Sequence, residues 1–254
     1  MTRLSEDREM VRSRLPRGPK YPRTGPEFTA WTGLTASSLY LFDEASGTLD
    51  DKIGSADLTV NATPVFDSSQ YARRGIYYDD VAARHGTDGV NVPTADSFAA
   101  LCVCRMVAAP GVLVGLASCL TATADPGWAI YLNTSANDRP NLLVNDAAAG
   151  ALSVIGTDID WPTTYPGNWL WSIQVDRTNS IARSRISYAR GLAGTLSGSI
   201  AGFGNLFGGT QKFAFGAGNA LSGGMWVGWS AYLTGAQCEG ASFLETTHRK
   251  LGWE

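Results

Sequence analysis

Residues 168–177 read Asn-Trp-Leu-Trp-Ser-Ile-Gln-Val-Asp-Arg. Trp169, Trp171, Ile173 and Val175 take alternate positions, with Ser172, Gln174 and Asp176 between them. Side chains on a strand point to opposite faces with period two, so one register puts all four large apolar groups on one side. The stretch predicts a strand with that face inward. The same period recurs on both sides of it. Met225, Val227, Trp229, Ala231 and Leu233 alternate with Trp226, Gly228, Ser230 and Tyr232, and Leu101, Val103, Arg105 and Val107 form a third set. Further strands are expected at residues 113–116, 128–132, 141–144, 152–155, 181–188 and 212–215. Turn residues separate them, as in Asp125-Pro-Gly, Ser135-Ala-Asn-Asp, Tyr165-Pro-Gly-Asn and Ser222-Gly-Gly. Many short strands at such intervals, with no internal repeat, predict an all-β fold, a two-sheet antiparallel sandwich or jelly roll rather than alternating β-α units. One short C-terminal helix is expected, opened by the capping-box spacing of Thr234 and Gln237 and stopped at Gly252.

Composition agrees with one large all-β domain, for which 254 residues is an ordinary length. Charged residues are 17%, and 8 Trp, 9 Tyr and 9 Phe are present, which excludes a disordered chain. The net charge of −3 argues against a nucleic-acid partner. Two histidines leave little for metal or acid–base chemistry built on that residue. Residues 106–120, the longest apolar stretch, contain Pro110, Gly111 and Gly115 and fall short of the roughly 20 residues a membrane span needs. The polar opening Met-Thr-Arg-Leu-Ser-Glu-Asp-Arg does not read as a secretory signal, so folding in a cytosol is expected and Asn61-Ala-Thr and Asn133-Thr-Ser read as chance matches to a glycosylation pattern. Cys102, Cys104, Cys119 and Cys238 fit no zinc or redox spacing and are expected as buried free thiols, with Cys102 and Cys104 on one strand face.

The first thirty residues differ from the rest. Arg3, Arg8, Arg12, Arg14, Arg17, Lys20 and Arg23 stand against Glu6, Asp7, Glu9 and Glu27, a net +3 that leaves −6 for residues 31–254. Pro16, Pro19, Pro22 and Pro26 favour an extended chain, and Ser5 could cap a short helix ahead of them. The expectation is an extended basic assembly arm, residues 1–30, in front of a jelly-roll domain, residues 31–254, with the seven basic side chains meeting an acidic partner surface.

Leu39-Tyr-Leu-Phe-Asp-Glu-Ala-Ser-Gly-Thr48, then Asp50-Asp-Lys-Ile-Gly54 and Leu58-Thr-Val60, resemble the opening of the laminin-G-like jelly roll of the concanavalin A-like lectin/glucanase group. Arg74-Gly-Ile-Tyr-Tyr-Asp79 is similar to that family's next strand. Residues 169–177 followed by 181–191 resemble its hairpin, and Phe213-Ala-Phe-Gly216 with residues 224–234 resemble its final strands. The resemblance spans residues 31–254. It departs from the family at residues 80–97 and at the long Gly- and Ser-rich stretch 192–211.

The glucanase branch of the group carries E-x-D-x-x-E or E-x-D-x-E on one strand, which sets two carboxylates about 5 Å apart. No such motif exists here, and after residue 30 the glutamates are only Glu44, Glu239, Glu245 and Glu254. A Ser-His-Asp site would need His85, read as lying in a loop, or His248, and there is no G-x-S-x-G elbow. The acidic runs Asp50-Asp51, Asp79-Asp80 and Asp158-Ile-Asp160 could supply calcium oxygens but are read as turn caps. Gly202-Phe-Gly204 lacks the βαβ context of a nucleotide site. Trp161 and Tyr165, on an expected loop, are the candidates for stacking on a sugar; Trp169, Trp171 and Trp229 are read as core. No catalytic residue, metal or cofactor is assigned.

Jelly rolls of this kind look like those of tailed-bacteriophage virion proteins. The resemblance and the arm together imply a non-enzymatic virion structural protein, a capsid decoration or head-fibre protein, assembled in the host cytoplasm. Its expected partners are capsid or tail subunits and further copies of itself, with no membrane. The alternative is a lectin-like tail or baseplate adhesin that binds host-surface glycan.

Overall fold

The computed structural model describes residues 19–44, 48–60, 65–67, 75–78, 85–87, 96–106, 114–118, 127–133, 139–146, 150–155, 167–188, 192–204, 206, 214–215 and 225–254. In chain order these form helix α1 (Gly25–Thr32) and strands β1 (Ser38–Tyr40), β2 (Leu58–Val60), β3 (Val65–Asp67), β4 (Gly75–Tyr78), β5 (His85–Thr87), β6 (Phe98–Met106), β7 (Val114–Ser118) and β8 (Gly127–Asn133). There follow β9 (Arg139–Asp146), β10 (Gly150–Ile155), β11 (Trp169–Asp176), β12 (Ile181–Tyr188), β13 (Leu192–Ser199), β14 (Ala214–Phe215), β15 (Met225–Thr234) and helix α2 (Phe243–Lys250). They build two antiparallel sheets. One runs β13-β12-β11-β6-β15-β4-β3, with β1 also on β15, and the other β10-β9-β8-β7-β14-β5-β2.

The tryptophan strand is central to the first sheet. β11 pairs along its whole length with β12, from Trp169↔Tyr188 to Asp176↔Ile181, and with β6 from Trp169↔Cys104 to Val175↔Phe98. Trp169, Trp171, Ile173 and Val175 all enter the core between the sheets, as their alternation predicts. They meet Trp128, Ile130, Leu142 and Val144 from the second sheet, and Cys102 and Cys104 from the neighbouring strand. The Trp171 indole donates to Ser184 Oγ at 2.7 Å, so that buried N–H has a partner.

The other face of the same sheet is buried as well. Leu170, Leu101, Val103, Trp226, Trp229, Ala231 and Leu233 form a second core with Phe28 of α1 and with Phe243, Leu244, Leu251 and Trp253 of the C-terminal segment. Ser172, Gln174 and Asp176 lie under this cover. Period two alone would leave them in solvent; segments distant in sequence cover them.

β15 reaches both cores through a bulge. Its pairing with β6 steps from Val227↔Cys104 to Trp229↔Val103, leaving Gly228 unpaired. The extra residue reverses the faces. Val227 and Tyr232 enter the core between the sheets, while Trp229, Ala231 and Leu233 enter the outer one. The single face expected for Met225, Val227, Trp229, Ala231 and Leu233 is therefore divided. Glycine is required at the bulge because a Cβ there would sit 2.2 Å from the Trp226 ring.

The boundary expected after residue 30 falls inside α1, and residues 25–30 are helical rather than extended. Thr24 caps the helix, its Oγ1 accepting from Glu27 N at 3.2 Å; Pro26 lies in the first turn, and Gly33 closes the helix with φ 73°. Proline in a first turn has its φ preset for helix and loses no intrahelical bond, so a spacing that suggests extended chain accommodates a helix start. The acidic Glu27 carboxylate accepts from Arg23 N at 2.7 Å. Phe28 is fully buried, edge-on to Trp229. Residues 19–32 thus belong to the folded domain.

Three other expectations change. His85 lies in a strand, β5, not in a loop. β13 forms within the Gly- and Ser-rich stretch where no strand is expected. Thr234 and Gln237 open a short 3-10 turn, Ala236–Cys238, and α2 begins only at Phe243. Gln237 is used elsewhere: its amide brackets the backbone of Thr35, accepting from Thr35 N and donating to Thr35 O, both at 2.9 Å. Gly252 does end the helical segment, with φ 75° and its N–H on Arg249 O.

Candidate functional site

The outer face of the first sheet holds a continuous polar chain. The cross-strand pairs Ser172↔Arg185 and Leu170↔Ser187 set Ser172, Arg185 and Ser187 side by side under α2. His248, on the inward side of α2, fits between the two serines: Nε2 lies 2.7 Å from Ser172 Oγ and Nδ1 lies 2.7 Å from Ser187 Oγ. Ser187 Oγ donates to Glu254 Oε1 at 2.7 Å. Arg185 grips the same carboxylate with two bonds, Nε to Oε1 at 2.6 Å and Nη2 to Oε2 at 2.8 Å, and gives Nη1 to Thr195 Oγ1 at 2.6 Å.

The proton inventory assigns the tautomer. Ser187 uses its only hydrogen on Glu254, so it accepts from His248, which places the imidazole proton on Nδ1. Nε2 then accepts from Ser172. His248 is completely buried, and that burial pushes its pKa down to about 3; Glu254 raises it and Arg185 lowers it further. The imidazole is neutral at ordinary pH. Burial raises the Glu254 carboxyl, but hydrogen bonds from Arg185 and Ser187 outweigh it and hold the group below its usual value.

A serine, an imidazole and a carboxylate are linked in this order, as in an activated nucleophile, but here Ser187 stands between the imidazole and the carboxylate. Access decides what this one can do. Ser172, Ser187 and His248 are all buried, so no substrate carbonyl or water reaches Ser172 Oγ. The chain of bonds fastens the C-terminal segment to the sheet.

A second cluster fixes the turn between β11 and β12. Asp176 accepts from Asn179, from Gly240 N at 3.0 Å and from Arg183 Nη1 at 3.2 Å. Burial raises its carboxyl, and these donors together bring it below its usual value. Arg177 reaches the carbonyls of Phe203 and Gly204 at 3.0 and 2.8 Å. These groups close a turn and leave no open carboxylate pair.

A third gathers at the acidic opening. Lys52 Nζ sits 2.7 Å from Glu44, 3.1 Å from Asp43 and 3.5 Å from Asp50. Partial burial opposes its charge, but the hydrogen bonds to Glu44 and Asp43 prevail and raise its pKa. The ammonium occupies the centre that a cation would need. Asp51 Oδ1 accepts from Leu39 N at 3.0 Å and Ile53 N at 3.1 Å, as expected of a turn cap. Among the described residues no three His, Cys, Asp or Glu side chains gather as metal ligands. Asp79, Asp80, Asp158 and Asp160 lie outside the described residues.

On the outer face of the second sheet, Asn141 Nδ2 donates to Tyr131 OH at 2.7 Å and lies 3.2 Å from Ser153 Oγ. This polar row crosses β8, β9 and β10, with Tyr131 half-buried and Ser153 exposed.

Of the residues singled out in the sequence, Arg3, Arg8, Arg12, Arg14, Arg17, Trp161 and Tyr165 lie outside the described residues. Lys20 is bound within the chain: its N–H donates to Leu251 O at 2.8 Å and its Nζ to Lys250 O at 2.7 Å, 5.6 Å from the Trp31 ring centre. Arg23 is exposed. Cys102, Cys104 and Cys238 are buried free thiols; Cys119 lies outside the described residues.

The sequence matches no family model and no curated protein. Solved structures share the fold. The binding domain of botulinum neurotoxin serotype D superposes with a TM-score of 0.62 at 10% identity, covering 89% of this chain and 52% of that one. The binding domain of botulinum neurotoxin DC in complex with rat synaptotagmin II gives 0.58 at 9%, covering 86% and 52%, and the same domain in complex with SialylT gives 0.58 at 10%, covering 85% and 51%. This chain spans about half the length of those structures. The two antiparallel sheets and these neighbours make the fold a jelly-roll sandwich.

Proposed function

We propose that the chain is a non-catalytic attachment protein of a tailed-phage virion, a capsid decoration or head-fibre protein. The jelly roll is its body, and the basic residues ahead of Pro19 are its anchor to capsid or tail subunits. The observation that supports a binding rather than an enzymatic role is the sealing of the polar clusters. Ser172 and His248 are buried, and the acids of the opening segment surround Lys52. Residues 19–32 are fastened to the domain, so the arginines at 3, 8, 12, 14 and 17 would be carried on a fixed exit point. A chain beginning at Pro19 keeps α1 and loses those five arginines. Full occupancy of purified particles by that shortened chain would sink the anchor role, and absence of the full chain from purified particles would sink the virion role.

A second reading is an adhesin that recognises a host-surface glycan, with Trp161 and Tyr165 as stacking groups. It draws support from the exposed Ser153 and half-buried Tyr131, both held by the buried Asn141, and from neighbours solved in complex with rat synaptotagmin II and with SialylT. A glycan array probed with residues 19–254 separates the two readings: specific, saturable binding favours the adhesin.

A further inference from the structure

The two sheets end side by side on one flank of the sandwich. β13 is the last strand of the first sheet and β10 the last of the second. They touch, since Leu152 of β10 lies against Gly198 of β13, where a Cβ would come within 2.6 Å of its Cδ1. At the opposite ends stand β3 and β2, of three residues each. β13 has eight residues, Leu-Ala-Gly-Thr-Leu-Ser-Gly-Ser, and β10 six, Gly-Ala-Leu-Ser-Val-Ile. Neither contains a charge or a proline. Ala193, Thr195, Ser197 and Ser199 are exposed along β13, and Ala151 and Ser153 along β10.

An antiparallel strand directs the N–H and C=O of every second residue away from its neighbour. β13 pairs with β12 from Tyr188↔Leu192 to Ile181↔Ser199, and among the described residues no other strand pairs with it. An edge of this kind is usually blunted by lysine, proline, a bulge or shortness. The short β3 and β2 show that last device. The β13/β10 flank shows none of the four among its described residues.

We infer that the β13 edge is a self-association surface, on which a second copy of this chain pairs antiparallel, β13 against β13, extending the first sheet across a two-fold axis. A second copy fits better than an unlike chain for two reasons. The strands of the strip carry no charge, and the one guanidinium bonded to it, Arg185 on Thr195, is neutralised by Glu254, so there is no electrostatic selection for a partner of opposite sign. An antiparallel strand pair is self-complementary about a two-fold axis, so each outward N–H of one copy meets a C=O of the other. Size sets the strength. A strip about 26 Å long, from eight residues at about 3.3 Å each, and about 20 Å wide, from two sheets about 10 Å apart with their side chains, covers on the order of 500 Å² per copy. The total of roughly 1,000 Å² lies at the lower limit for a specific interface, so the dimer is expected to be a weak, reversible one. This inference is independent of the attachment role, which concerns residues ahead of Pro19.

Sedimentation equilibrium of the full chain between about 1 and about 500 µM tests it. The expected result is a monomer–dimer equilibrium. Replacing two of the four exposed positions by lysine, Ala193→Lys with Ser197→Lys, should weaken association at least about 100-fold by setting like charges against each other across the axis, with an unchanged melting temperature. Hydrogen exchange of the unsubstituted chain at the two concentration limits supplies a reading that needs no variant. Amides within residues 192–199 should slow at the high limit. A chain monomeric throughout, a dimer indifferent to both lysines, or a dimer without new protection in 192–199 would overturn the proposal.

Discussion

Lys250 extends from the last turn of α2 to the last turn of α1, where its Nζ lies 2.6 Å from the carbonyl oxygen of Thr32. The contact joins residues 218 positions apart. A cation at the C-terminal end of a helix meets carbonyls that have no intrahelical donor and the negative end of the helix dipole. Lys250 thus serves the end of α1. The return contact runs from Lys20 to the carbonyls of Lys250 and Leu251. The two chain ends thereby form one cover over Trp226, Trp229 and Leu170.

Phe28→Ala should therefore behave as a core substitution although it lies in the N-terminal segment. Its ring is fully buried against Trp229. A loss of about 3–5 kcal/mol is expected from a fully buried Phe. Urea unfolding measures it, and a loss below about 1 kcal/mol would mean that α1 is a loose appendage.

Gly228→Ala should destabilise by about 1–3 kcal/mol, the usual cost of forcing a group into a filled site. Its new Cβ would lie 2.2 Å from the Trp226 ring, and Gly75 presses on the same ring from β4, where a Cβ would lie 2.1 Å away. Thermal unfolding of both alanine variants, with Gly202→Ala as a control whose Cβ meets nothing within 4 Å but whose φ is 83°, separates steric cost from backbone cost.

The strand at 169–176 was legible because one register buries Trp169, Trp171, Ile173 and Val175 together, with no other information needed. What period two cannot disclose is a cover over the second face. Ser172 and His248 are 76 residues apart, and nothing local to either marks them as partners. The bulge at Gly228 was hidden for a related reason: one unpaired residue reverses the face of all that follow, and composition does not record it. β13 has Thr195 as its one β-branched residue, no aromatic and two glycines, too weak a signal to announce a strand; its pairing to β12 rather than its own propensity holds it there. Pro26 carried a signal of opposite sign, extended chain by spacing but helix start by position, and Thr24 with Glu27 decided for the helix.

The buried thiols give a chemical test of the two cores. Burial raises Cys104, with Cys102 adding to the effect, and burial pushes Cys238 up to about 12, against a smaller lowering by a backbone bond. The thiolate is the reactive form, so Cys104 and Cys238 should be inert in the native state, and Cys102 is shielded by its burial. With Ellman's reagent at pH 8, Cys102, Cys104 and Cys238 should stay unmodified in buffer and react in denaturant. Fast native reaction at any of the three, mapped by peptide mass, would mean that the cover opens readily.

The pH dependence of stability should be governed first by His248. Its folded pKa is about 3 against an ordinary value of 6.5, with burial as the main cause. The unfolded chain takes up a proton below 6.5 that the folded chain refuses until about 3. Protonation therefore favours the unfolded state throughout that window, and stability falls as pH falls from 6.5 towards 3, with no contribution above it. Each pH unit is worth at most about 1.4 kcal/mol, so a loss of about 2 kcal/mol is expected between pH 7 and pH 5. Asp176 and Glu254 are held below their ordinary values, and their stabilisation is lost only further down, as pH falls through and below the usual carboxylate range. Between pH 6.5 and about 4.5 the imidazole dominates these three groups. Urea titrations at pH 7, 6 and 5 measure the slope. His248→Gln keeps a polar side chain between Ser172 and Ser187 but cannot charge, so it should lower stability at pH 7 and flatten the dependence above pH 5. An equal slope in the variant would show that some other group takes up the proton, and that His248 is not the acid-sensitive part of the clasp.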